Sequence, residues 1–107
     1  MVDLPTLNFS LSALSVSRWS FLVAAVDLVH GIAISLGMNI VTVEGATGYI
    51  HTNFAGKGRG AIDALDLHDM AVVHIEAPDE AGHQGDIQAK VDAIEAIDEH
   101  IIGPLLD

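Results

Sequence analysis

Asp79 and His83 stand four residues apart in the run His74-Ile75-Glu76-Ala77-Pro78-Asp79-Glu80-Ala81-Gly82-His83. A carboxylate oxygen and an imidazole nitrogen one turn apart are the donor types of a divalent metal site, suited to Mn²⁺, Zn²⁺, Co²⁺ or Mg²⁺. Two such donors make part of a coordination sphere, not a complete one. Pro78 and Gly82 shape a tight loop that can aim both side chains at one point. Glu76 and Glu80 flank the pair; either could orient His83, or could be a solvated acid. His74 falls inside an apolar run and reads as a buried, hydrogen-bonded histidine, with metal ligation as the lesser role. His51, on a glycine-bearing loop, could meet a substrate or simply face solvent. His30, His68 and His100 carry no pattern of their own.

The segment Gly56-Lys57-Gly58-Arg59-Gly60 invites comparison with a phosphate-binding loop. The pattern fails, because His51 occupies the first required glycine and Gly58 stands where Ser or Thr must bind magnesium. Lys57 and Arg59 are still two of only four basic residues, and a weak phosphate contact is open to them. No serine lies in a nucleophile-elbow context, so the spacing names no catalytic nucleophile.

These residues need elements to hold them. Ser20 is expected to cap a helix running to about Leu36, with Phe21, Ala24, Ala25, Leu28 and Ile32 on one face and Gly37 as the stop. Asn39–Val43 reads as a short β-branched strand. Residues 44–53 form a loop ending at a cap, Asn53, for a helix from Phe54 to about Leu67, in which each glycine costs roughly 1 kcal/mol relative to Ala. Met70–Glu76 reads as a strand buried on both faces. Asp79 and His83 then lie on the loop at its C-terminal end, where α/β sheets keep their ligand sites. Beyond Asp86, Ile87, Val91, Ile94, Ile97 and Ile101 recur at helical spacing, and Gly103-Pro104 is expected to end that helix. Alternating helices and strands predict a layered αβα fold with parallel strands. Two strands make a poor sheet alone, so neighbours from outside are expected. Residues 1–18 read as an irregular segment and 19–107 as a partial core domain.

Composition narrows the function. With 107 residues the chain is at most one domain, and with 15 acidic against 4 basic residues its formal charge is −11. No basic stripe is available for nucleic acid or an anionic membrane. A phosphorylated substrate would need bound cations, or residues from elsewhere, to reverse the local sign. The absence of cysteine fits a reducing cytoplasm. Asp27 and His30 interrupt the longest apolar stretch, so a membrane span is not expected.

With these motifs assembled, the chain resembles the archaeal-type, cofactor-independent (2,3-bisphosphoglycerate-independent) phosphoglycerate mutases of the alkaline phosphatase superfamily. The likeness rests on Ala25-Val26-Asp27-Leu28-Val29-His30-Gly31-Ile32, Val43-Glu44-Gly45-Ala46-Thr47-Gly48-Tyr49, Thr52-Asn53-Phe54-Ala55-Gly56-Lys57 and, most specifically, His74 through Asp86. It implies an alkaline phosphatase-like core and a glycolytic isomerase that interconverts 3- and 2-phosphoglycerate through a phosphoserine at a two-metal centre. Asp79 and His83 would hold one of those metals. The resemblance also implies that the nucleophilic serine, further ligands and an inserted cap domain with basic residues belong to regions this chain lacks. It would then be a C-terminal core section, inactive alone. Two other readings stand beside it: an assembly module or split-enzyme subunit that pairs with a complementary chain or with itself, and another metal-dependent phosphatase or phosphomutase of the same superfamily.

Overall fold

The computed structural model describes residues 20–107; the expected irregular segment at 1–18 lies outside them. Three parallel strands form the sheet: β1 (Ser20–Val23), β2 (Asn39–Val41) and β3 (Met70–Val73), in the order β2-β1-β3. Phe21 pairs with Asn39 on one side, and Ser20 pairs with Met70 on the other. The sheet's middle strand is therefore the stretch expected to begin a helix. Ser20 is followed by the short apolar run Phe21-Leu22-Val23, and periodicity cannot separate such a run from a buried helical turn. The helix starts later: α1 spans Asp27–Ser35, and the expected inward-facing Leu28 is 72% exposed.

Alternation along β1 divides the two faces. Leu22 and Ala24 cluster with Ala33 of α1, backed by Val29, Met38 and Ile40. Val23 and Val41 point the other way, toward α2 (Phe54–Leu65), where a Cβ placed on Gly60 would lie 3.2 Å from Val41 and 3.7 Å from Val23. The result is a helix–sheet–helix sandwich, as expected. Its core is small and rich in alanine: Ala24, Ala33, Ala61, Ala64, Ala77, Ala81 and Ala93 are all buried.

Three further elements differ from expectation. β3 stops at Val73 and is not buried on both faces, because Met70 and Val72 are exposed on a strand that pairs on one side only among the described residues. Residues 79–83 are not loop but part of a helix, α3 (Ala77–Gln84), with Pro78 in its first turn and Gly85 closing it at φ +69°. Proline suits that position, where its missing N–H is not needed. Gly103-Pro104 does not terminate the last long helix either. That helix, α4 (Ile87–Ile97), passes through a π-helical turn at Asp98–Ile102 into α5 (Gly103–Leu106), where Pro104 again occupies a first turn. Ile101 is buried, whereas Ile87, Val91 and Ile94 are exposed, so only the C-terminal end of the expected stripe faces the core. The cap expected at Asn53 is present, accepting from Gly56 N at 2.9 Å, and Asp86 caps α4 in the same way, accepting from Ala89 N at 2.9 Å.

Candidate metal half-site at the sheet's C-terminal edge

In an open parallel sheet, ligands bind where successive connections leave in opposite directions, beyond the strands' C-terminal ends. In the order β2-β1-β3 that point lies between β1 and β3. The two strand ends are joined there by His74 N donating to Val23 O at 2.8 Å. A cavity of about 310 Å³ opens at the same place, lined by Ala25, Val26, Gly48, Tyr49, Glu76 and Glu80.

Three segments build the surroundings. The 44–53 loop is held by its own hydrogen bonds: Thr47 N donates to Thr52 Oγ1 (2.9 Å), Tyr49 N to Thr47 Oγ1 (3.3 Å) and Asn53 Nδ2 to Glu44 O (2.9 Å). Gly45, at φ +73°, supplies the left-handed turn. The β3–α3 joint, residues 74–76, brings Glu76 against this loop; a Cβ on Gly48 would stand 2.7 Å from Glu76 Oε2. Beneath both lies Lys57, 1% exposed, whose Nζ donates to Thr47 O (3.3 Å) and His74 O (3.4 Å). Desolvation pushes its pKa below the ordinary 10.5, and the Glu76 carboxylate opposes that shift. Lys57 is thus an internal cation, closed off from any phosphate on the surface. Arg59 is the exposed one, paired with Asp63 at 3.1 Å.

Asp79 and His83 emerge on the outer face of α3. Their Oδ2 and Nε2 atoms lie 3.2 Å apart, with side chains 67% and 74% exposed. Two ligands held about 2.1 Å from one cation at tetrahedral or octahedral angles are about 3.0–3.4 Å apart, so the spacing fits two positions of a shared sphere. A solvent-facing helix pair, acid in the first turn and base in the last, adopts the same geometry. Among the described residues no cluster of three or more His, Cys, Asp or Glu side chains could hold an ion. The pair's donor types and spacing thus fit two positions around a divalent cation.

The other singled-out residues are dispersed. His51 is exposed on a separate cleft of about 540 Å³, between the loop and α4, that also includes Phe54 and Asp92. His74 follows β3 rather than lying within it, and its ring Nδ1 is buried without a hydrogen-bond partner, in place of the held ring expected. His30 Nε2 lies 2.7 Å from Ala24 O, bridging the end of β1 and the first turns of α1. Lys57's burial was missed from sequence; its one signal is a lysine inside a glycine-rich helix, where glycines mark close packing.

With this geometry established, comparison with known proteins decides the family. Residues 18–107 match the Metalloenzyme superfamily. The chain belongs to that family. It is 50% identical over 84 residues to a probable 2,3-bisphosphoglycerate-independent phosphoglycerate mutase of Geobacter sulfurreducens, which covers 78% of this chain and 21% of the relative. A 2,3-bisphosphoglycerate-independent phosphoglycerate mutase of Methanosarcina mazei is 51% identical over 85 residues, covering 79% and 21%. The chain thus spans about a fifth of the length of these curated relatives. Among solved structures, the PH0037 protein from Pyrococcus horikoshii superposes with a TM-score of 0.78 at 37% identity, covering 83% of this chain and 27% of that one. Membership of this superfamily implies a divalent metal, which suits the donors of the Asp79–His83 pair. Among the described residues no helix is long and apolar enough to cross a membrane.

Proposed function

We propose that this chain is the C-terminal core portion of a cofactor-independent phosphoglycerate mutase of the alkaline phosphatase type. In this reading Asp79 and His83 supply two ligands to one metal of its two-metal centre. The observation that carries it is the 3.2 Å approach of a carboxylate oxygen and an imidazole nitrogen on the helix following β3. The half-identical segments of proteins named phosphoglycerate mutases support 3- and 2-phosphoglycerate as the proposed substrates.

A bound divalent cation would screen phosphoryl charge and activate an oxygen nucleophile. The chain's own residues do the holding. α3 presents both donors on one face, because positions four apart in a helix are neighbours. The β1–β3 ladder, extended by His74 N and Val23 O, fixes where that helix begins. Pro78 and Gly85 set its two ends.

The chain alone is expected to have no turnover, because the described residues bring only two metal donors together. An enolase-coupled assay on the purified 107-residue chain with Mn²⁺ and 3-phosphoglycerate checks this. Turnover that exceeds a protein-free control would overturn the expectation of inactivity. Manganese as the physiological ion, and a cytoplasmic glycolytic setting, belong to the same proposal.

A second reading is supported by surface apolar residues. Leu28, Ile32 and Leu36 make an exposed stripe on α1, Met70 and Val72 are exposed on β3, and Ile87, Val91 and Ile94 are exposed on α4. Surfaces of this kind mark contact with further protein. They fit a portion completed by more polypeptide, whether covalently continuous or a separate subunit.

A further inference from the structure

A lysine as buried as Lys57 is costly unless its ammonium finds partners. Its two partners are backbone carbonyls of different segments, Thr47 O in the 44–53 loop and His74 O in the β3–α3 joint. Neither belongs to α2, which carries the lysine. The joint is tied inward by His74 N to Val23 O, and it continues into α3 through Glu80 N donating to Glu76 O at 2.9 Å. The loop and the joint also meet directly, because Gly48 leaves just enough room for the Glu76 carboxylate. Tight packing seats α2 itself: a Cβ on Gly58 would stand 2.5 Å from His100 O of the π-helical turn.

We propose that Lys57 is a positioning residue that clamps the 44–53 loop to the β3–α3 joint, fixing the loop wall at Gly48 and Tyr49 against Glu76 and the first turn of α3. The cavity lined by Ala25, Val26, Gly48, Tyr49, Glu76 and Glu80 is the space this clamp holds open. Lys57 acts through Thr47, His74 and Glu76, and does not itself touch an occupant. Glu76 is the charged group that acts on it. The other titratable side chains on the segments packed around it are Glu44, Tyr49 and His51 on the loop, His74 on the joint, and Asp98, Glu99 and His100 on the π-helical turn. The consequence for a metal rests on Asp79 and His83 being ligands; the clamp does not.

Methyl NMR of the 107-residue chain tests it. In Lys57→Met, the methyls of Ala46 and Thr47 in the loop and of Ala77 and Ala81 in α3 should shift together, while Ala33, across the sheet, stays put. In the unsubstituted chain the same four methyls should titrate with the midpoint of Lys57 Cε, below 10.5, which needs no variant to fold. A Lys57 Cε titration that leaves those methyls still would overturn the clamp, as would a variant in which Ala33 moves as much as Ala46. Mn²⁺ binding at Asp79 and His83 should weaken about tenfold in Lys57→Met, the low end for groups that orient metal ligands. Failure of Mn²⁺ to bind the unsubstituted chain would count against the metal reading alone; equal Mn²⁺ affinity with unmoved methyls would remove the clamp alone.

Discussion

Lys57 and the Asp79–His83 pair reach their roles by opposite routes. The pair is exposed and available to an ion, so its identity as a ligand candidate follows from donor types and helical spacing. That much was legible from sequence. Its helical setting was not, because Pro78 and Gly82 suggest a turn unless Pro78 is recognised as a first-turn residue. Lys57 drew notice as a cation near glycines, and only three-dimensional packing makes it internal. Its burial has a pH signature. Unfolded, the side chain keeps its proton up to about 10.5; folded, it releases it at lower pH. Between those two values the unfolded state binds more protons, so this group's contribution to stability rises with pH. In urea melts at a series of pH values below 10.5, the stability of the unsubstituted chain minus that of Lys57→Met should therefore increase as pH rises. A flat difference would mean that the lysine is not desolvated in the fold.

At the scale of elements, the glycine-rich α2 shows what propensity leaves out. Gly56, Gly58 and Gly60 read as liabilities in a helix, yet each stands at a close approach: Gly56 at the Asn53 cap, Gly58 against the backbone of residues 100–101, Gly60 against Val41 and Val43. Tertiary fit overrides intrinsic preference here. Gly58→Ala should accordingly destabilise the chain by about 1–3 kcal/mol despite alanine's better helix propensity, since the methyl meets a carbonyl that must move. Asn53→Ala should cost about 1 kcal/mol through loss of its cap. Urea midpoints measure both, and a stabilised Gly58→Ala would show that α2 does not pack as described. Similar reasoning explains β1. A central strand flanked by a neighbour on each side needs only to be mostly apolar, and three apolar residues next to a helix carry no period that tells them from that helix. β2, β3, α2 and α4 were legible because their β-branched runs, caps and stripes are local signals.

At the scale of the molecule, a three-stranded sheet with an alanine-rich core leaves much apolar surface uncovered. Ile87 and Leu106 are each 81% exposed, and β2 and β3 each pair on one side only among the described residues. The matched segment is only about a fifth of each curated relative, which supplies a reason: what is surface here can be interior there. The need for neighbours was legible in the sequence as a poor two-stranded sheet, although that reading undercounts the strands by one. Size-exclusion chromatography with light scattering should show the chain associating as its concentration rises, against the repulsion of a net charge of −11. A single monomeric mass at every concentration would argue that these faces need no cover.

On α3 a carboxylate and an imidazole are offered together to one cation. Titrating Mn²⁺ into the ¹⁵N-labelled chain reads this directly, because the ion broadens amides near where it sits. Saturable broadening should be centred on Asp79, Glu80 and His83, and should be lost in both Asp79→Asn and His83→Gln. Diffuse broadening spread over the acidic surface, unchanged by either substitution, would contradict it.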